Sequence, residues 1–447
     1  MTRRGDRWRE LFGLIPVSLL VTAGFTAVLI NREATDVPTV TYGLFFLGSC
    51  VLGSLVIRWR LPAADPRMFP LAALLAGIGL VMLYRIDETF AAEQALYFLI
   101  GLGLFLATIL LLRDIRALER YRYTIAAVGI GLLVLPRLPG IGAQVNGAYL
   151  GINLGIIEFQ PAEFAKIAIV VFLASYLNDT RDVLVKGRIP HISIKHMGPL
   201  LVIWGASMLM LVFIRDLGSS LMFFGGFLAV LYVATSRLSL VLVGLAMFFG
   251  GAAFFASSVG HVQDRVDVWL DPFSTEQVVC ASTGERTEFV NCQGFQIAQS
   301  LFAQADGGLF GQGFGNALIK VPGGGPLLPA ADTDLIYAVI TDELGLFGAT
   351  GVILIYLLLA WRGFRAAIDA TDGFSKLLAA GLTAVLSLQV FVIVGGVTRV
   401  IPLTGVTLPF ISAGGSSILA NFVLLALILI VSDRARRDRG DRQGGLV

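Results

Sequence analysis

The chain reads as long apolar runs separated by short polar ones, with no two-residue alternation sustained over any run. Runs near the length needed to cross a ~30 Å hydrocarbon core, about 20 helical residues, fall at 11–30, 40–57, 69–85, 94–112, 123–136, 161–178, 199–214, 218–234, 240–258, 335–361, 377–398 and 412–432. Backbone amides in lipid must be satisfied within the spanning segment, and barrel strands would alternate, so the pattern predicts helices. The expected fold is an all-α polytopic membrane protein of about 12 transmembrane helices.

Composition agrees with the pattern. Of 447 residues, 56% are hydrophobic and only 14% charged, where soluble domains run near a quarter charged. The net charge of +2 says little, but its distribution says much. With the first run crossing outward, 24 of the 33 Lys and Arg fall on inner connections, 8 on outer ones, and Lys166 within a segment. This asymmetry predicts both termini in the cytoplasm, and it would be scrambled by gaining or losing one helix. The tail residues Arg434, Arg436, Arg437, Arg439 and Arg442 read as a cytoplasmic anchor with some attraction to anionic membrane lipids. The first run is too long for a signal-peptide core and no small-x-small cleavage site follows it. Three Cys and three His are too few for a cysteine or histidine metal cage. The Gly clusters lack the strand and Lys-Ser/Thr context of a nucleotide loop.

One connection interrupts the pattern. Residues 259–334 form a long outer loop rich in Gly, Gln and Asp, and connectors of this length are usually functional or disordered. Cys280 and Cys292 lie in it, on the oxidising side, and are expected to form a disulfide. Cys50, in an apolar run, reads as packing.

Ionisable groups at membrane depth carry the candidate chemistry. Glu163 and Lys166, three apart at the start of the helix after Gln160-Pro161, share a face and can pair. The pair is either a neutralised structural unit or a means of offering Lys166 to a lipid-linked phosphate. Asp216, in Arg215-Asp216-Leu217-Gly218, suits a helix N-cap. Asp332-Thr333-Asp334 stands where the outer loop re-enters the membrane. A half-desolvated carboxylate there would have the raised pKa of a general base working near neutrality, or the segment could simply cap and complement the next helix. Asp342 and Glu343 follow one turn deeper. The last outer connection, from Pro402 through Ser412 and Ser416, combines Pro and Gly at membrane depth, which is tolerated only where backbone lines a cavity or a protein core. Arg399 beside it is a further phosphate contact in prospect.

These residues, in this order, resemble the SEDS family (shape, elongation, division and sporulation). The matches are Asn146-Gly147-Ala148, Gln160-Pro161-Ala162-Glu163 to Lys166, Asp216-Leu217-Gly218, Gly294-Phe295-Gln296, Gln299-Ser300, Gly307-Gly308-Leu309-Phe310-Gly311, Leu328-Pro329 to Asp334, Asp342-Glu343-Leu344-Gly345 and Pro402 to Ser417. The resemblance covers roughly 69–432. It divides the chain into two additional helices within 1–68, a ten-helix core over 69–432 and a basic tail over 433–447. The additional helices and the Cys-bearing insertion look like the RodA branch of high-GC Gram-positive bacteria rather than the FtsW branch.

The resemblance implies a peptidoglycan glycosyltransferase that polymerises lipid II into glycan strands, for cell elongation and shape, beside a class B penicillin-binding protein. It implies Asp334 as the essential aspartate, with Glu163, Lys166, Asp216, Arg399, Ser412 and Ser416 as substrate-site residues. The leaving diphosphate needs positive charge from Lys166, from Arg399, or from a divalent cation, magnesium or manganese, on oxygen ligands. No nucleotide and no nucleic acid are expected. The sequence departs from the family pattern at Asp332 (usually His), Ala330 (usually Glu), Leu150-Gly151 (usually Arg-Trp) and around Val390 to Ile393, where an Asn is usual. The rival functions are a flippase or transporter for the lipid-linked precursor, and a non-catalytic scaffold for the penicillin-binding protein.

Overall fold

The computed structural model describes residues 2–31, 39–138, 142–145, 148–153, 158–186, 198, 201–202, 204–206, 216–256, 260–280, 284–320 and 326–444. Its helices are α1 (Thr2–Asn31), α2 (Thr39–Arg60), α3 (Met68–Ile86), α4 (Glu88–Leu111), α5 (Arg116–Arg120), α6 (Arg122–Val134), α7 (Pro161–Lys186), α8 (Leu217–Thr235), α9 (Leu238–Ala256), α10 (Gly260–Leu270), α11 (Phe295–Gly307), α12 (Ile336–Asp369), α13 (Gly373–Val397) and α14 (Gly415–Gly444). Among the described residues, nine of these are long and apolar enough to cross a membrane: α1 to α4, α7, α8 and α12 to α14. The predicted runs at 123–136 and 240–258 are the helices α6 and α9, and most of the run at 199–214 lies outside the described residues.

The core forms around α14, which packs against α4, α12 and α13, while α7 packs against α6, α8 and α13. Large side chains interlock there; Phe422 of α14 meets Phe98, Phe105 and Phe410 edge-on, a geometry aromatic quadrupoles favour. The additional helices α1 and α2 pack on each other and on α3.

The polar groups sort to two ends of the bundle. At one end the tail of α14 meets the 60–67, 113–116 and 362–372 connections. Arg436 and Arg362 reach Asp65 at 2.7 and 3.3 Å, Arg434 reaches Asp114 at 3.5 Å, and the Asp433 carboxylate accepts from the Ala63 amide at 2.7 Å. Arg7 pairs there with Glu10, and Ser54 donates to Glu10 at 2.7 Å, which ties α1 and α2 to the same end. Each joined connection was expected on the inner side.

The opposite end carries the irregular structure. Residues 142–159 include a three-stranded antiparallel sheet, β1 (Gly142–Val145), β2 (Ala148–Asn153) and β3 (Glu158–Phe159), which the helical reading did not anticipate. Asn146-Gly147 lie outside the described residues; Leu150-Gly151 fall in β2. In the 259–334 connection, α10 and α11 flank a hairpin of β4 (Gln277–Val279) and β5 (Arg286–Glu288). Cys280 is joined to Cys292 across it, with their Cα atoms 5.7 Å apart. Cys50 is a buried free thiol.

The motifs around 307–313 and 342–347 form one joint. α12 is broken at Gly345, which has φ 64° and ψ −169°, a conformation essentially open to glycine alone. The loop after α11 docks into the break: the amides of Gln312 and Gly313 donate to the carbonyls of Asp342 and Glu343, and those of Leu346 and Phe347 to Gly308 and Leu309. A β-carbon on Gly345 would sit 2.3 Å from the Gly311 nitrogen. Gly345→Ala is therefore expected to lower stability by about 2 kcal/mol or more, read as a lower thermal midpoint of the detergent-solubilised chain. An unchanged midpoint would contradict this account of the break. Glu343, 1% exposed, pairs across the joint with Arg85 at 2.9 Å.

Candidate active site

The re-entry of the outer loop is a tight turn. Pro329 leads into Ala330, whose φ is 51°, and the amides of Thr333 and Leu335 both donate to the Ala330 carbonyl. A non-glycine residue in the left-handed region is a strained position that its surroundings must hold. Those surroundings are the 408–414 turn, itself carrying Phe410 at φ 68°. Ser412 Oγ donates to the Thr333 carbonyl at 2.7 Å and accepts from the Leu408 amide at 2.8 Å, while the Ala413 amide donates to the Asp332 carbonyl at 2.8 Å. Buried Gln94 of α4 fixes the turn from behind, donating to the Ser412 carbonyl at 3.1 Å. Ser412 thus positions the Asp334 segment. Its replacement by Ala should leave the Thr333 carbonyl without this partner and cost about 1 kcal/mol, with a several-fold loss of activity; a variant equal to wild type in both would show that the turn holds without it.

No side chain of this turn caps α12; its first residue follows Leu335 without a side-chain cap bond. Asp334 is instead free to face the site. Its Oδ2 lies 3.5 Å from where a β-carbon would stand on Gly405, whose φ is 76°, and an Arg265 nitrogen lies 3.9 Å from the same point. Gly405 therefore suits both the backbone conformation and the approach of the acid. Burial pushes the Asp334 carboxyl up to about 7; Arg265 opposes this, and the charges of Asp332 and Asp216 add to it. The Asp332 carboxyl is also raised by burial.

Asp216 caps α8, accepting from the Ser219 amide at 2.9 Å; Arg215 lies outside the described residues. Its carboxyl is raised by burial, lowered by its bonds to Ser219 and by Arg265, and raised further by Glu163. Glu163 and Lys166 form the expected pair at 2.5 Å, with Lys166 4% exposed. Lys166 Nζ also donates to Gln389 Oε1 of α13 at 2.7 Å, and Gln389 Nε2 donates to the Thr407 carbonyl at 2.9 Å. Ser416 Oγ accepts from the Gln160 amide at 2.7 Å, which ties the start of α14 to the start of α7. The starts of α7 and α8, the Asp334 turn, α10 and the 402–407 strap thus converge through their charges and hydrogen bonds.

Arg265 was legible in the sequence only as one outer basic residue; in the structure its charge acts on both Asp334 and Asp216. Its Nη1 donates to the Leu403 carbonyl at 2.6 Å, and it lines a cavity of about 250 Å³ with Asp264, Trp269, Gln293, Gln296 and Arg399. Arg399 is largely spent on this wall, donating to the carbonyls of Trp269 and Leu270. Among the described residues, no three Asp, Glu, His or Cys side chains gather as a metal cage.

Comparison with known proteins shows the family. The sequence profile of the cell cycle protein family FtsW/RodA/SpoVE matches residues 66–437. The chain is 39% identical to the peptidoglycan glycosyltransferase RodA of Mycobacterium tuberculosis over 446 residues, 96% of this chain and 91% of that one. Among solved structures, a chain of a peptidoglycan synthase complex that coordinates polymerization and crosslinking matches with a TM-score of 0.64 at 26% identity, covering 83% of this chain and 98% of that chain. The rod shape determining protein RodA of Thermus thermophilus matches with a TM-score of 0.57 at 26% identity, over 83% and 97%. This chain belongs to the FtsW/RodA/SpoVE family of cell cycle proteins.

Proposed function

We propose that the chain is a peptidoglycan glycosyltransferase of the cytoplasmic membrane that polymerises lipid II at the outer face, with Asp334 as general base. The observation that carries the reading is Asp334 itself: a carboxyl pushed to about 7 by burial, beside Arg265 and Asp216, at the convergence of four elements. A base serves best when its pKa lies near the working pH.

The acceptor sugar hydroxyl gives its proton to Asp334 as its oxygen attacks the anomeric carbon of the donor. The bond from that carbon to the diphosphate oxygen breaks, and undecaprenyl diphosphate leaves with the bonding pair. A single displacement converts the α-linked donor into a β-linked product. The leaving charge meets the positive field of Arg265 and of Lys166, held in place by Glu163 and Gln389. Trp269, Gln293 and Gln296 in the adjoining cavity suit sugar faces and amide or hydroxyl groups. A magnesium or manganese ion would draw its oxygens chiefly from the diphosphate and water, with Asp216 as its protein ligand.

The segregation of Lys and Arg supports termini in the cytoplasm and this site outside, with membrane lipid around the bundle. A class B penicillin-binding protein is the partner, as the likeness to a polymerising and crosslinking complex suggests. The family resemblance implies docking along α12 and α13, and Leu346, Phe347, Leu354, Leu357 and Trp361 are exposed on α12. The acids at this end, and the closure of the Glu163–Lys166 pair by Gln389, favour an outward-facing enzyme over a flippase. Proteoliposomes holding the chain, its partner and fluorescent lipid II decide between them. Glycan polymer without faster transbilayer movement of lipid II is the expected result; movement without polymer would sink the proposal.

A further inference from the structure

Of the buried acids outside the polymerisation site, Asp342 lines a cavity. Asp342, within the first part of α12, is 7% exposed, and its Oδ1 is buried without a hydrogen-bond partner. A buried, unpartnered carboxylate oxygen at membrane depth calls for a ligand that the protein chain does not supply. Asp342 lines a cavity of about 350 Å³ whose other polar walls are Gln299, Asp306, Gln312 and Asn316. No Lys, Arg or His lines it. Asp306 ends α11 close enough to act on Asp342 through its charge; the cation that also acts there, Arg85, is already bound to Glu343 and to the carbonyls of Gly315 and Ala317.

The nitrogens of two of these amides are already engaged. Gln312 Nε2 donates to the Asp306 carbonyl at 2.6 Å and Asn316 Nδ2 to the Gln312 carbonyl at 3.0 Å. Each spends its nitrogen on backbone and keeps its oxygen. The walls therefore offer two carboxylates and three side-chain amides, two of them with the nitrogen spent on backbone, and no sulfur or imidazole. Hard divalent cations prefer such a set, and calcium tolerates its irregular geometry best.

We infer that this cavity binds a hard divalent cation, calcium or one of its class, held by Asp342 and Asp306 with the amide oxygens of Gln312 and Asn316, water completing the shell. Three of these ligands lie on the outer connection and the fourth on α12 just before its break. The cation would fasten the connection to the helix that begins beside Asp334, acting on the site through position rather than on the reacting atoms.

The test uses the full chain in nanodiscs, washed with chelator and titrated with Mn²⁺ while free Mn²⁺ is followed by electron paramagnetic resonance, with Ca²⁺ as competitor. One saturable site displaced by Ca²⁺ is expected in the wild type. Asp342→Asn and Asp306→Asn should each weaken it about tenfold or more, through the lost ligand charge, and Asp334→Asn should retain it. Asp306 is exposed, so its variant keeps the test open if Asp342→Asn fails to fold. Ca²⁺ should also raise the thermal midpoint of the wild type and not that of Asp306→Asn. The inference is overturned by the absence of a saturable site, by equal affinity in wild type and Asp306→Asn, or by a site lost in Asp334→Asn and kept in Asp306→Asn.

Discussion

Asp334→Asn is expected to lower lipid II polymerisation by about 10²–10⁴-fold, the usual worth of a positioned general base, in a chain that still folds and inserts. Asn keeps the volume and can accept a hydrogen bond, but it cannot take the proton. The same change should stabilise the fold under working conditions. The folded Asp334 carboxyl is raised from the model-peptide value of 3.8 to about 7, so folding favours its protonated form. The stability this contributes is complete below the unfolded value and is lost as pH rises through 7. At pH 8 the wild type therefore carries the cost of holding this carboxylate ionised in the folded site, and Asp334→Asn should show the higher thermal midpoint. At pH 4 the advantage should vanish. A variant that loses activity and also melts lower at pH 8 would point to damage rather than to a missing base.

The second large effect concerns Lys166. Lys166→Met leaves Glu163 buried without its cation, and breaking one side of a buried pair costs about 3–5 kcal/mol. Poor expression and an early thermal transition are the expected result. The double variant Glu163→Gln/Lys166→Met removes both charges and should recover most of that stability. Its activity should not recover, because the positive field near the leaving diphosphate is gone. A double variant that folds and polymerises at the wild-type rate would reduce the pair to a structural unit and leave Arg265 as the cation of the site.

The bundle was legible because its cause is one-dimensional: lipid demands long apolar helices, and the basic residues mark their inner ends. The described helices follow the apolar runs closely at 40–57, 69–85 and 218–234. The family resemblance was legible for a different reason, in that Glu163, Lys166, Asp216 and Asp334 stand in short motifs whose order survives. What escaped depends on contacts between distant segments. The break at Gly345 looks like an ordinary glycine in an apolar helix until the loop at 308–313 is seen docked against it. The sheet over 142–159 has strands of two to six residues, too short to announce a period. Arg265 sits among Asp264 and Asp267 with no local sign that its charge acts on Asp334 and Asp216. Arg399 reads as a phosphate contact, yet its guanidinium donates to the Trp269 and Leu270 carbonyls at the end of α10. Gln389 did leave a trace, a lone amide inside an apolar run, where burial without a partner would be costly.

The central claim is that Asp334 removes the acceptor proton. Its most direct test is the pH dependence of kcat/KM for lipid II polymerisation by the chain reconstituted with its penicillin-binding protein partner. The rate should rise about tenfold per unit at low pH and level off near 7, where Asp334 loses its proton, and Asp334→Asn should show a small residual rate without that break. A flat wild-type profile between pH 5 and 8, or an Asp334→Asn enzyme polymerising near the wild-type rate with the same break, would contradict it.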